Sequence, residues 1–329
     1  MWGHRFGHDL ARTLARVSSR SQRTLRSVDR EGWLERVANV RKWTRAGERA
    51  PHKPLLMLYT LGRLQRLGSS RVSFADAEPV LQGLLDEFGP AERKTSPAYP
   101  FHHLQTDGLW VVTTSDGSDA GASPIRLRAT ATGAFAPDFE SALRSDPGLA
   151  ALTARTILDR EFPESLHGEI CAVAGLDVEA LEVGAAAERV DRLEARRRSP
   201  RFRDDVLVAY EYRCAVCGFD GSLGREAVGL DAAHVRWWAF DGPDLLDNGM
   251  CLCVLHHNLF DRGVIGVSPG LRVMVSRRFV GRSESSRVSV LSLVDRPLFG
   301  PRAGDPPPSE EHVRWHGAQV FQAPARAAS

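Results

Sequence analysis

Residues 212–267 read YRCAVCGFDGSLGREAVGLDAAHVRWWAFDGPDLLDNGMCLCVLHHNLFDRGVIGV. The stretch holds four of the five cysteines and three of the eleven histidines of a 329-residue chain, so metal-ligating side chains are concentrated in it. Cys214 and Cys217 stand two residues apart, the spacing at which a tight knuckle lets two thiolates grip one zinc ion, and Gly218 behind them permits the turn. A tetrahedral site needs two more ligands, and Cys253 and His256 repeat the same spacing. Cys251 competes with Cys253, because positions two apart on an extended segment face one side. Only Cys253 has the knuckle offset to His256. Cys214, Cys217, Cys253 and His256 are therefore the expected ligands of a structural Zn²⁺, with Cys251 a buried apolar thiol.

Three further polar residues frame the knuckles: His234 in LDAAHV, Asn248 in LLDNGM, and His257 beside the expected zinc ligand. On these residues the stretch resembles the HNH, or ββα-metal, endonucleases. In that family a strand histidine, a loop asparagine and a helix histidine make the site. The resemblance implies His234, Asn248 and His257 as catalytic residues. Phosphodiester hydrolysis needs a water deprotonated near neutral pH, and histidine titrates there, so His234 is the general base. His257 holds a divalent cation, Mg²⁺ or Mn²⁺, that neutralises charge on the phosphate. Asn248 is expected to fix the loop and orient His234 through its amide. Many members carry a metal-binding acid or histidine directly before the strand histidine. This chain has Ala233 there. Asp231, two residues back on the same strand face, is the candidate replacement ligand. Asp261 reads as a supporting residue or a helix cap.

Composition bounds the rest. The length accommodates two domains, and no apolar run approaches the roughly 20 residues of a membrane span. The N-terminus lacks the apolar core and small-residue cleavage site of a secretory signal. An odd number of cysteines clustered with histidines reads as metal ligation rather than disulfides, and a cytoplasmic protein is the expectation. Net charge is only +2, yet arginines crowd the first fifty residues and recur in RLEARRRSPRFR.

In chain order, residues 1–27 form a basic arm. WLERVANVRKW puts Trp33, Leu34, Val37 and Val40 on one helical face. Pro51 and Pro54 suit a first turn, so a buried helix is expected from about Pro54 to Gly68. SFADAEPVLQGLLDEFG gives another, capped by Ser73 or Asp76. LWVVTT is a strand after a TDG turn, and residues 137–182 return to helix with breaks at Pro163 and Gly175. The expected partition is 1–27 arm, 28–182 mostly helical domain, 183–200 charged linker, 201–300 nuclease domain, and 301–329 a Pro-rich tail serving as a strap or remaining disordered. The fold class is α+β.

ERAPHKPLLMLYTLGRL and SPAYPFHHLQTDGLWVV, followed by an HNH segment in the same order, resemble the sulfur-binding domain of type IV restriction endonucleases that recognise phosphorothioated DNA. The resemblance spans roughly residues 28–180. It implies sulfur contact by the basic residue before the helix and by Tyr99 and Pro100. Sulfur is larger and less hydrated than oxygen, so an apolar pocket favours it, and a tyrosine ring with a donor-free proline supplies such walls. His52, Lys53, Arg93 and Lys94 are candidates for the flanking phosphates, and His102 and His103 for bases or phosphates. Implied partners are double-stranded DNA and a second copy of the chain, since one HNH module cuts one strand. Two alternatives stay open: another modified-base reader, against which Trp33, Trp43, Tyr59 and Phe74 sit at core spacing, and a zinc-containing regulator that no longer cuts.

Overall fold

The computed structural model describes residues 30–41, 50–90, 95–177 and 200–327. The basic arm, nearly all of the charged linker, Trp43, Arg93 and Lys94 lie outside them. The N-terminal half begins with helix α1 (residues 30–38) and α2 (His52–Leu67). Leu55, Leu56, Met57 and Leu58 of α2 are all fully buried, which makes this apolar helix the axis of the domain. Gly68 ends it at φ 66°, a left-handed conformation that glycine adopts without cost, with its N–H on the Leu64 carbonyl. Strand β1 (Val72–Ser73) leads into α3 (Phe74–Phe88). Ser73 caps α3, its hydroxyl accepting from the Asp76 N–H at 3.1 Å.

The short helix α4 (Ala98–His103) precedes β2 (Trp110–Thr114). Helix α5 (Pro124–Thr130) runs into β3 (Ala131–Phe135). The three strands form an antiparallel sheet in the order β1-β3-β2. The sequence announces only β2. Strand β1 is two residues long, and β3 (ATGAF) interrupts its apolar pattern with Gly133, over which the Trp110 ring lies, so that an added Cβ would stand 2.1 Å from Cζ2. Helices α6 (Pro137–Ser145), α7 (Pro147–Glu161) and α8 (Glu164–Ala174) complete the half, with breaks at the expected proline and glycine.

The C-terminal half opens with α9 (Pro200–Ala209). A hairpin of β4 (Ser222–Leu223) and β5 (Glu226–Ala227) follows the first knuckle. Strands β6 (Leu230–His234) and β7 (Gly249–Cys253) pair antiparallel with His234 opposite Gly249, and α10 (Val254–Asp261) continues directly from β7. This is the ββα unit. A hairpin of β8 (Ile265–Val267) and β9 (Val273–Val275), α11 (Glu284–Ser289) and α12 (Glu310–Gln319) pack around it.

The tail departs from expectation. Beyond the prolines, α12 is capped by Ser309 and buries His312, Val313 and His316, and Val320 and Phe321 follow it into the interior. Pro306, Pro307 and Pro308 end one segment and lead to the next; they do not set the fate of the residues after them. The two halves also share a core. Trp237, from the β6–β7 loop, is 2% exposed and packs with Val320 into the N-terminal cluster. Among the described residues, no helix is long and apolar enough to cross a membrane.

Candidate active site and DNA-reading surface

The knuckle cysteines come together because β7 and the start of α10 bring Cys253 and His256 against the turn after α9. The sulfurs of Cys214, Cys217 and Cys253 and a ring nitrogen of His256 all lie within 4.8 Å of one another. His256 Nδ1 is 3.1 Å from Cys253 Sγ and 3.8 Å from Cys214 Sγ. Its Nε2 lies 2.9 Å from the Ser289 carbonyl, a bond that assigns the proton to Nε2 and turns Nδ1 toward the thiols. Three sulfurs and one imidazole in this arrangement can hold one tetrahedral zinc ion. Cys251 lies outside the cluster and is fully buried. Burial, with the charges of Cys214 and Asp231, pushes its thiol up to about 12. It is a neutral core residue.

The second constellation lies on β6 and α10. His257 sits between two carboxylates, with Nδ1 3.5 Å from Asp231 Oδ2 and Nε2 3.3 Å from Asp261 Oδ2. Burial opposes its charge, but Asp261 and Asp231 outweigh burial and raise the ring to about 10. Asp231 is likewise held below the usual carboxylate range; burial works against ionisation, and His257, the Ala232 N–H and Arg203 overcome it. Arg203, on α9, lies 3.3 Å from Asp231. A small divalent ion with ligands at about 2.1 Å sets neighbouring donors about 3 Å apart, so Asp231 and His257 fit one such ion. Asp261 on the other ring nitrogen is the carboxylate–histidine pairing that orients a metal-binding imidazole.

His234 stacks on Phe202 of α9, with ring centroids 4.1 Å apart. Its Nε2 is 2.8 Å from Asp244 Oδ1. Asn248 is fully buried, and its amide fixes the loop as expected, through bonds to backbone. Its oxygen accepts from the Arg236 N–H, and its NH₂ donates to the carbonyls of Arg236 and Pro243. The amide therefore clamps the two ends of the loop, and Asp244, next to the clamped Pro243, meets the histidine. An asparagine side chain reaching back across the β6–β7 loop finds backbone first, since backbone donors and acceptors are what a buried loop must satisfy. Sequence reasoning missed Asp244, Phe202 and Arg203. Asp261 did carry a signal, four residues after His257 on one helix face.

In the N-terminal half the candidate DNA contacts gather on α4 and the start of α2. Tyr99 is 56% exposed and stacks on the exposed His103, with centroids 5.8 Å apart. His102 stands edge-on to His103 at 4.8 Å. Burial and the neighbouring His102 and Lys53 lower His103 below its ordinary value, favouring the neutral ring. Pro100 is buried beneath Tyr99 on the packed face of α4, so the exposed aromatic surface belongs to Tyr99 and His103. Lys53 is already paired, its Nζ 2.6 Å from Asp107, and His52 opens α2 half-buried. Asp119, from the loop after β2, comes within 4.0 Å of His102.

Fold and sites together define a two-part protein, an N-terminal domain of helices around a three-stranded sheet joined to a ββα domain that carries a Cys₃His cluster. Residues 30–179 match the family described as "ScoMcrA-like, DNA sulfur-binding domain", and residues 214–268 match the family described as "HNH endonuclease". The chain thus carries a ScoMcrA-like sulfur-binding domain followed by an HNH endonuclease domain. Among solved structures it is similar to the sulfur-binding domain of ScoMcrA complexed with phosphorothioated DNA, at 26% identity and TM-score 0.38 over 45% of this chain and 97% of that one. The corresponding SprMcrA complex is 22% identical at TM-score 0.35, covering 48% and 93%. Against the type IV phosphorothioation-dependent restriction endonuclease ScoMcrA the match is 23% identical at TM-score 0.36, covering 46% of this chain and 30% of that protein. No curated protein sequence matches the chain.

Proposed function

We propose that this protein is a modification-dependent DNA endonuclease, whose N-terminal domain binds phosphorothioated double-stranded DNA and whose HNH domain hydrolyses nearby phosphodiester bonds. What carries the proposal is the joining of a sulfur-binding domain to an HNH domain whose β6, loop and α10 carry His234, Asn248 and His257. Two of the similar structures hold phosphorothioated DNA. Tyr99 supports the first half of the reading. Its exposed ring offers an apolar face on which a weakly hydrated sulfur loses little, whereas a phosphate oxygen would give up hydration without replacement.

For the second half, Asp244 accepts a hydrogen bond from His234 Nε2 and so orients the ring that would serve as general base toward the attacking water. Phe202 fixes the ring plane by stacking. Asn248 holds the loop that carries Asp244. Asp231 and His257 would hold Mg²⁺ or Mn²⁺, which supplies charge neutralisation at the phosphate. Arg203 adds a fixed cation beside Asp231. Cys214, Cys217, Cys253 and His256 would hold Zn²⁺ as a structural staple. Lys53 and His52, with Arg93 and Lys94 outside the described residues, are the candidates for phosphates flanking the sulfur, and His102 and His103 for the adjoining nucleotides. A double-strand cut would come from a homodimer, one site per strand.

The test is a pair of matched duplexes, with and without a single phosphorothioate, offered with Mg²⁺ or Mn²⁺ while binding and cleavage are scored separately. The expected outcome is preferential binding and cutting of the modified duplex, with His234→Ala abolishing cutting alone. Equal binding to both duplexes would defeat the reader assignment. Selective binding without cutting in either metal would leave a regulator instead.

A further inference from the structure

The HNH site is seated on the reader on both flanks. On the His234 side, the loop clamped by Asn248 sends Trp237 into the N-terminal core, where its ring meets Trp315 at 6.0 Å. On the His257 side the connection is polar. Ser165, in the first turn of α8, donates its hydroxyl to Asp261 Oδ2, the same oxygen that faces His257 Nε2. The Asp261 side chain is 2% exposed, so no bulk water competes for that oxygen. The next residue, Arg262, reaches Glu169 one turn along α8 and Glu87 near the end of α3. Its guanidinium also lies 5.8 Å from the Phe88 ring centroid.

We infer that Ser165 is a positioning residue of the nuclease site supplied by the sulfur-binding domain: through Asp261 it fixes the His257 ring so that Nδ1 faces Asp231. The physical case is the geometry of one oxygen. A buried carboxylate oxygen that accepts from both a hydroxyl and an imidazole has its direction set by both donors. Without Ser165 it keeps one donor and gains a rotational freedom that passes directly to the ring it holds. Arg262 explains why the contact persists, since its two acidic partners pin the C-terminal end of α10 to α8 and α3. The reader thereby does more than deliver the nuclease to an address; it finishes the metal-holding half of the site. The inference rests on the nuclease reading above, in which His257 and Asp231 hold the divalent ion.

The experiment uses the full-length, zinc-loaded chain and titrates Mn²⁺ by calorimetry in the absence of DNA. Ser165→Ala is expected to weaken Mn²⁺ binding about fivefold, the order of one lost hydrogen bond. Asp261→Asn, one link closer, should weaken it by roughly 10- to 100-fold. Ser165→Thr keeps the hydroxyl and should restore wild-type affinity, while zinc content and phosphorothioate-duplex binding stay unchanged in all three. Mn²⁺ affinity unchanged by Ser165→Ala would overturn the inference. So would a variant that loses zinc or duplex binding along with Mn²⁺, because Ser165 would then be a general interface residue. A wild-type chain that binds no Mn²⁺ would contradict the nuclease reading itself, and the inference with it.

Discussion

The two candidate sites are built in opposite ways. The nuclease site is interior: His257 has a carboxylate against each ring nitrogen, His234 is held by Asp244 and stacked on Phe202, and Asn248 is fully enclosed. The reader surface is open, with Tyr99 more than half exposed and a ring pair standing on a six-residue helix. Chemistry needs groups held to a fraction of an ångström before the substrate arrives, and burial with hydrogen bonds provides that. Discrimination of sulfur from oxygen needs an accessible apolar face and little else. Mutations should therefore fail differently in the two places: by loss of order in one, by loss of contact in the other.

The largest effect should follow removal of the zinc staple. Structural zinc contributes about 10–16 kcal/mol to small zinc domains, so Cys214→Ser or a strong chelator should unfold the C-terminal half. Metal content and circular dichroism should show zinc lost and C-terminal structure collapsed, with the N-terminal half destabilised as well because its core loses Trp237 and Val320. A zinc-loaded, folded Cys214→Ser chain would break the ligand assignment.

Trp237→Ala comes next, because it cuts a ring shared by both halves. Truncating a buried tryptophan costs about 3–5 kcal/mol. Thermal unfolding should show a lowered midpoint for reader and nuclease alike. A drop confined to one half would mean the two cores are independent.

The cysteines outside the knuckles sharpen the contrast at smaller scale. Burial raises Cys171 to about 11 and Cys251 to about 12, so both are neutral thiols at every pH below that range and poor nucleophiles. Alkylation at pH 8 followed by mass spectrometry should leave both unmodified in the folded chain. Rapid modification of Cys251 would reveal an accessible, ionised thiol and contradict its place in the core. Tyr99→Ala should have the mildest structural consequence, with an unchanged melting point, and should cost roughly tenfold in preference for the modified duplex, the scale of one pocket contact.

How much of this was legible in the sequence follows the same division. The Cys₃His cluster and the placing of His234, Asn248 and His257 on β6, the following loop and α10 were legible because short covalent spacings and a strand–loop–helix order fix where they go. Ser73, Gly68, Pro163 and Gly175 likewise marked helix ends by local chemistry alone. Asp244 and Ser165 were not legible. Each meets its partner through tertiary packing, Asp244 across a loop and Ser165 across 96 positions of chain, and no local pattern encodes such a meeting. The C-terminal helix was obscured by the prolines ahead of it, and β3 by Gly133, over which the Trp110 ring lies. The role given to Asn248 was displaced by one step, because its amide satisfies backbone and leaves the histidine to an acid.

The most direct measurement of the central claim maps cut positions on a long duplex carrying one phosphorothioate, in the presence of Mn²⁺. Cuts are expected at fixed distances from the modification, absent with His234→Ala and scattered or lost with Tyr99→Ala. Cuts distributed without regard to the sulfur in the wild-type chain would contradict that claim.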